Sequence, residues 1–243
     1  MLNKKIGIVG DVHAEHERLE FALNWLQSQG VDTIVCTGDV ADGQGDIDAT
    51  CDLLVRNNVL TVAGNHDRWL LTDKARHVEH AHMRSAVRDA SLDFLQNLPQ
   101  TLTVKTHQGD LLLCHGVIED DLAKVWPGTA TTEAKRSVPL DKLLAHPSAA
   151  PRFVVNGHMH FRTLIDFENC QVVNGGTLKG SYPGVTILDL AAEELCGFDF
   201  SSDTGFLPTQ RYSLSNVETR RVWSNTQEFD CNWTPVVLHR PRT

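Results

Sequence analysis

No apolar run in this 243-residue chain approaches the ~18 residues of a membrane-spanning helix. Internal repeats, low-complexity tracts and Gly/Ser-rich linkers are absent, which argues against tethered independent domains. The cysteines at 36, 51, 114, 170, 196 and 231 form no C-x-x-C pair and no regular spacing, so a disulfide framework is not expected. Cys36 and Cys114 sit in apolar runs and read as small buried hydrophobes, pointing to a reducing, cytoplasmic setting. Basic residues are scarce. Lys plus Arg number 22 against 31 Asp plus Glu, a formal charge of −9. Long nucleic-acid tracts are poor partners for such a chain, because they require many Lys/Arg–phosphate contacts. The opening Met1–Val9 places basic residues before an apolar stretch, yet that stretch is too short for a signal peptide and lacks a small-residue cleavage site. It reads as a first strand.

What is present is globular composition, 41% apolar and 22% charged. The length suits one domain over residues 1–243, with 191–243 as a C-terminal extension of the core. The first half alternates strand and helix signals: strand Lys5–Val9, amphipathic helix Glu15–Gln27, strand Val31–Cys36, helix Ile47–Arg56, strand Val59–Ala63, then a mostly helical Ala75–Leu98. Such βαβαβ order implies parallel strands with crossover helices. The second half is strand-rich: Thr101–Thr106 and Asp110–Cys114 around a turn at His107-Gln108-Gly109, then Arg152–Val155, Thr163–Phe167, Cys170–Val173 and Val185–Asp189. Strand-like runs at Val217–Phe229 and Pro235–His239 lie in the tail, and Val117–Pro139 reads as a long surface loop with a short helix.

Five short motifs stand at the C-terminal ends of strand-like runs: Gly10-Asp11-Val12-His13, Gly38-Asp39, Gly64-Asn65-His66-Asp67, His115-Gly116 and Gly157-His158-Met159-His160. In open α/β sheets ligands bind at those ends. The side chains delivered are carboxylate, amide and imidazole, a mixed oxygen and nitrogen set suited to Mn, Fe, Zn, Co or Ni. Asp11 and His13, two apart in an extended segment, can point to one side, and His158 and His160 repeat that spacing. The candidates exceed the needs of one ion, whereas two divalent ions sharing a carboxylate would use them all. Asp39 is the natural bridge, since a carboxylate offers two oxygens.

The order D-x-H, GD, GNHD, H, GHxH resembles the calcineurin-like metallophosphoesterase family, over roughly Ile6 to His160. That resemblance implies a four-layer α/β-β-α sandwich of two mixed sheets flanked by helices. It further implies that Asp11, His13, Asp39 and His160 hold one metal and that Asp39, Asn65, His115 and His158 hold the second. By the same resemblance His66 donates to the phosphate or its leaving group, and Asp67 orients His66. The activity implied is hydrolysis of small phosphate esters by a hydroxide shared between two divalent ions, with nucleotide monoesters or diesters and dinucleoside polyphosphates as candidate substrates. Val173-Asn174-Gly175-Gly176-Thr177, with Tyr182 and Val185–Leu190, resembles the closing segment of the smaller bacterial phosphoesterases. Gly38-Asp39-Val40-Ala41-Asp42-Gly43 lacks the arginine-glycine pair of the protein Ser/Thr phosphatases, so activity of that type is not expected. A nuclease on the same fold and a non-catalytic metal-binding scaffold are the alternatives; the acidic charge opposes the first and the intact ligand set the second.

Other candidates have plainer readings. Arg68 can reach a second phosphate of the substrate or form a surface ion pair, and Lys135 and Arg136 are similar. Trp126 is a nucleobase platform or a packing anchor. His77, His80 and His82 read as a solvated helix face, and His16 as a residue lining the cleft. Arginines 220, 221, 240 and 242 read as solvated or facing a second copy in a homo-oligomer. The expected partner is a small phosphate ester, without membrane involvement.

Overall fold

The computed structural model describes residues 2–148, 150–217 and 219–240; Arg242 lies outside the described residues. The chain begins with β1 (Lys5–Val9), α1 (His16–Ser28), β2 (Thr33–Cys36), α2 (Ile47–Arg56), β3 (Leu60–Thr61), α3 (Asn65–Leu71) and α4 (Asp89–Gln96). It continues with β4 (Thr101–Thr106), β5 (Gly109–Cys114), α5 (Val138–Leu144), β6 (Phe153–Asn156), β7 (Arg162–Phe167), β8 (Gln171–Gly175) and β9 (Gly184–Asp189). The remaining strands are β10 (Glu194–Ser201), β11 (Gly205–Ser213), β12 (Val222–Trp223) and β13 (Val236–Val237).

Two mixed sheets result. The first has the order β11-β10-β9-β1-β2-β3, with β1, β2 and β3 parallel and the β9 side antiparallel. The second runs β12-β7-β8-β6-β5-β4, with β13 added to β7. In it β5, β6 and β8 are parallel. Alternation along β1 sets the layers. Ile6 and Ile8 join Leu111, Leu113, Phe153, Val155 and Val173 in the core between the sheets. Val9, with Ile34 and Cys36 of β2, faces the buried stripe of α1 (Leu19, Ala22, Leu23, Leu26) and α2 (Ile47, Cys51, Leu54). Leu140 and Leu144 of α5 and the tail residues Trp223, Phe229 and Trp233 join the core built on the second sheet. This is the expected four-layer sandwich, with β4 and β5 closing at the anticipated 107–109 turn.

Three departures from the sequence reading matter. The segment 75–98 is not a continuous helix. After α3 the chain runs irregularly, with Asp73, Ala75 and His80 at positive φ, to a 3₁₀ turn at Arg84–Ala86, and only α4 is helical. Residues 194–213 form two full strands that extend the first sheet, whereas the tail run 217–229 contributes only the two-residue β12. Arg220 is not solvated. It forms a forked ion pair with buried Asp166, Nε to Oδ2 at 2.7 Å and Nη2 to Oδ1 at 3.1 Å. All six cysteines are free thiols. Among the described residues no helix is long and apolar enough to cross a membrane.

Candidate metal centre

The five motif loops leave β1, β2, β3, β5 and β6 at their carboxyl ends and meet at one edge of both sheets. Their side chains converge into two groups, Asp11, His13, Asp39 and His160 in one and Asp39, His115 and His158 in the other. Within each group one candidate ligand atom per residue lies within 4.8 Å of the others. Asn65 adjoins the second group, its Oδ1 3.1 Å from His115 Nε2. Asp39 belongs to both groups.

The candidate ligands converge through left-handed backbone and not by extended alternation. His13, Asp39, His158 and His160 have φ of 48°, 45°, 66° and 59°, in the left-handed region. Each such non-glycine residue costs on the order of 1–3 kcal/mol, so the surrounding bonds must impose it. They do: His13 N–H donates to Asp39 O at 2.7 Å, Asp11 N–H to Gly176 O at 3.0 Å and Gly157 N–H to His115 O at 2.8 Å. The 173–177 segment acts as the brace. Thr177 Oγ1 donates to Asp11 O at 2.8 Å, and Asn174 Nδ2 to Gly157 O at 2.5 Å. Two glycines admit the carboxylates. A Cβ on Gly64 would collide with Asp39, and one on Gly157 with Asp11 and Thr37.

The ring nitrogens are preset for coordination. His13 Nδ1 faces Ala41 O at 3.2 Å and Asp42 O at 2.9 Å, so it carries the proton and Nε2 presents a lone pair to the site. His115 Nδ1 donates to Thr37 O at 2.7 Å, which turns Nε2 toward Asn65 Oδ1 and Asp39 Oδ2. His13 Nε2 and His160 Nε2 stand 3.0 Å apart. Two imidazole nitrogens this close, beside Asp11 and Asp39, fit a shared cation. Asp11 Oδ1 accepts from Thr37 Oγ1 at 2.9 Å and Oδ2 from His158 N–H at 2.8 Å. Asp39 Oδ1 accepts from His66 N–H at 2.8 Å, which leaves Oδ2 toward His115 Nε2 at 3.4 Å and His13 Nε2 at 3.8 Å. Asp39 Oδ2 therefore faces both groups. The donor set fits divalent ions.

Electrostatics follow from burial and mutual charge. Burial raises the Asp39 carboxyl, but His115, His13 and His66 overcome it and hold the group below the usual range. Burial opposes a charge on His115, yet Asp39 and Asp11 raise it to about 10. For His13 burial dominates and lowers it to about 4. Asp67 is raised to about 7 by burial and by the charge of Asp39.

Asp67 does not orient His66. Its Oδ2 accepts from Gly64 N–H and its Oδ1 from Ala41 N–H, both at 2.9 Å. It sits at the third position of α3, where a side chain folds back to the helix start. Asp42 holds His66 instead, Oδ2 to Nδ1 at 2.8 Å. The sequence signal for Asp42 was a second acid three residues beyond Asp39. Thr37 was also missed, and no local signal marks it. Arg68 is engaged by Asp121, Nε to Oδ2 at 2.6 Å and Nη2 to Oδ1 at 2.7 Å. Lys135 pairs with Glu133, and Arg136 donates to Phe229 O. Trp126 is a packing anchor, edge-on to Trp233 at 5.0 Å. His82 is no solvated helix face: its Nδ1 accepts Asp42 N–H at 3.0 Å.

A model of the calcineurin-like phosphoesterase superfamily domain matches residues 5–193. A curated relative, an uncharacterised protein of Methanocaldococcus jannaschii, is 29% identical over 107 residues. That alignment spans 41% of this chain and 44% of the relative, so the chain matches less than half of that protein's length. Among solved structures, a metallophosphoesterase from Sphaerobacter thermophilus superposes with TM-score 0.55 at 18% identity, covering 86% of this chain and 89% of that one. The phosphoesterase Yfce from E. coli gives 0.53 at 16%, covering 87% and 100%. Vps29 from Entamoeba histolytica gives 0.51 at 17%, covering 86% and 98%. Likeness at this identity shows the fold alone. The matched domain and the two Asp/His groups agree: the chain belongs to the calcineurin-like phosphoesterase superfamily, a family of phosphoester hydrolases that use two divalent metal ions.

Proposed function

We propose that this chain is a dinuclear metal-dependent phosphoesterase acting on small phosphate esters. The observation that carries the reading is Asp39, buried and shared by two ligand groups. Asp11, His13, Asp39 and His160 would hold one ion; Asp39, Asn65, His115 and His158 the other. When bound, the pair supplies Lewis acidity toward phosphoryl oxygens and water acidified to near neutrality. The chain's own work is to fix the ligands and to move a proton. With Nδ1–H directed at Asp42, His66 can deliver only an Nε2 proton, to the oxygen that leaves phosphorus. Its ring stands edge-on to His13 at 4.9 Å, which puts it beside the first ligand group.

Nucleotide monoesters and diesters are the substrate class we favour. The case for dinucleoside polyphosphates rested on Arg68, Lys135 and Arg136 as extra phosphate contacts. All three are engaged elsewhere, although one structural neighbour is described as a candidate diadenosine tetraphosphatase (TM-score 0.54, 19% identity, covering 85% of this chain and 93% of that one). The test is a turnover screen of protein reconstituted with Mn, Fe, Zn, Ni or Co, against an aryl monoester, an aryl diester, cyclic nucleotides and diadenosine tetraphosphate. Turnover of the simple esters is expected. Inertness toward every ester in protein carrying two ions per chain would leave the scaffold reading in its place.

A further inference from the structure

We infer that Arg76 is a positioning residue for proton delivery by His66, acting through Asp42; the inference rests on the reaction proposed above. Asp42 is fully buried, and its carboxylate accepts four hydrogen bonds. On Oδ2 stand His66 Nδ1 at 2.8 Å and Arg76 Nη2 at 2.9 Å. On Oδ1 stand Arg76 Nη1 at 2.9 Å and His82 N–H at 3.0 Å. A carboxylate has about four lone-pair sites, so this one is saturated and cannot turn without breaking bonds on both oxygens. Arg76 supplies half of those bonds in the forked geometry that fixes a carboxylate plane.

The guanidinium is itself anchored. Its Nη1 also donates to His82 O at 2.7 Å, and its Nε to Lys74 O at 2.8 Å. With the bonds to Asp42, these hold the irregular 72–83 segment, with its three left-handed residues, against the loop after β2. Asp42, also left-handed at φ 66°, meanwhile accepts His13 Nδ1–H on its carbonyl. One residue thus aims a metal-ligand histidine through its backbone and the proton donor through its side chain, and Arg76 clamps the second. Without Arg76 the carboxylate keeps only two partners, one per oxygen. Its plane can then rotate, and the His66 ring loses its fixed bearing on the leaving oxygen.

The experiment compares wild type, Arg76→Ala and Arg76→Lys, loaded with zinc, by two readouts. The first is the His66 imidazole ¹⁵N signature from long-range ¹H–¹⁵N correlation, assigned with His66→Gln. The second is kcat and KM on an alkyl phosphate ester against its p-nitrophenyl counterpart. For Arg76→Ala we expect a displaced Nδ1 resonance and a kcat on the alkyl ester about 10–100-fold lower, the usual scale for losing a residue that orients a site group. KM should change little, and the p-nitrophenyl ester should lose less. Added guanidinium at low millimolar concentration should restore part of the loss. Arg76→Lys keeps the charge but not the fork, should fall between, and carries the test if the alanine variant does not fold. An unmoved His66 signature, or an equal loss on both esters, overturns the inference. If wild type hydrolyses neither ester while the signature still moves, the clamp on His66 stands and the reaction assigned to the site falls.

Discussion

At the scale of single residues, neighbours in sequence are not neighbours in space. Asp67 follows His66 directly, but both lie on α3, where consecutive side chains point to different sides of the helix. Asp42, on another loop, therefore reaches the ring while Asp67 bonds to backbone. Replacing His66 with Ala should retain the fold and two ions per chain and lower kcat for a poor leaving group about 10²–10⁴-fold, less for a good one. Steady-state rates on an alkyl and an aryl ester check this. Asp39→Asn should lower elemental content below two ions per chain, because a neutral amide bridges cations poorly; two retained ions would remove the bridge. Acid should act through Asp42. Burial would raise its carboxyl, but bonds from His66, Arg76 and His82 hold it down to about 2. A carboxyl depressed in the folded state stabilises above its unfolded value near 3.9 and loses that contribution as pH falls through about 2. The thermal midpoint should therefore drop between those two values, and the drop should be shallower in Asp42→Asn.

At the scale of elements, the ligand loops were legible because each is a short local motif after an apolar strand. Helix α2 and strand β4 were read to the residue, since the 3.6 and 2.0 periods are local too. The 75–83 stretch misled for the opposite reason. Its helical pattern is overridden by tertiary bonds, above all Arg76 to Asp42 and His82 to Asp42. Strands β10 and β11 were missed because Gly197 and Pro208 break the alternation. Pro208 is tolerated on β11, the edge strand of its sheet. Asp67 belongs at this scale, joining the start of α3 to the loop after β2 through Gly64 and Ala41. Asp67→Ala should cost about 0.5–2 kcal/mol, the scale of a lost helix cap, and leave the His66 ¹⁵N signature in place. Calorimetry and the same NMR correlation check it, and a displaced signature would return Asp67 to His66.

At the scale of the molecule, the residues beyond the matched family domain are built into both sheets. We propose that 191–243 extends the one domain and does not form a second. β10 pairs with β9, and β12 and β13 pair with β7 along the edge not taken by β8. Arg162, buried on β7, reaches across to Phe198 O at 2.6 Å and pairs with Asp199, tying the second sheet to β10. Trp223 packs edge-on against Phe229 at 5.2 Å and near Trp233 at 6.0 Å. Trp223→Ala should cost about 3–5 kcal/mol by denaturant titration, the range for a deleted buried aromatic. A chain ending at Leu190 leaves β9 an open edge and strips aromatic cover from the second sheet, so it should aggregate on expression. A soluble, metal-binding product would assign 191–243 to a dispensable appendage.

The sequence alone determined the run of strands from β1 to β9, the ends at which the loops gather and the candidate ligand set, because these depend on local periodicity and on short runs that name their chemistry. The tertiary structure decided which acid holds His66, that Arg68 is engaged by Asp121, that Asp39 turns one oxygen to both candidate groups, and where strands β10 to β13 go. Each of these depends on contacts between segments distant along the chain, and on strained backbone angles that no local pattern encodes.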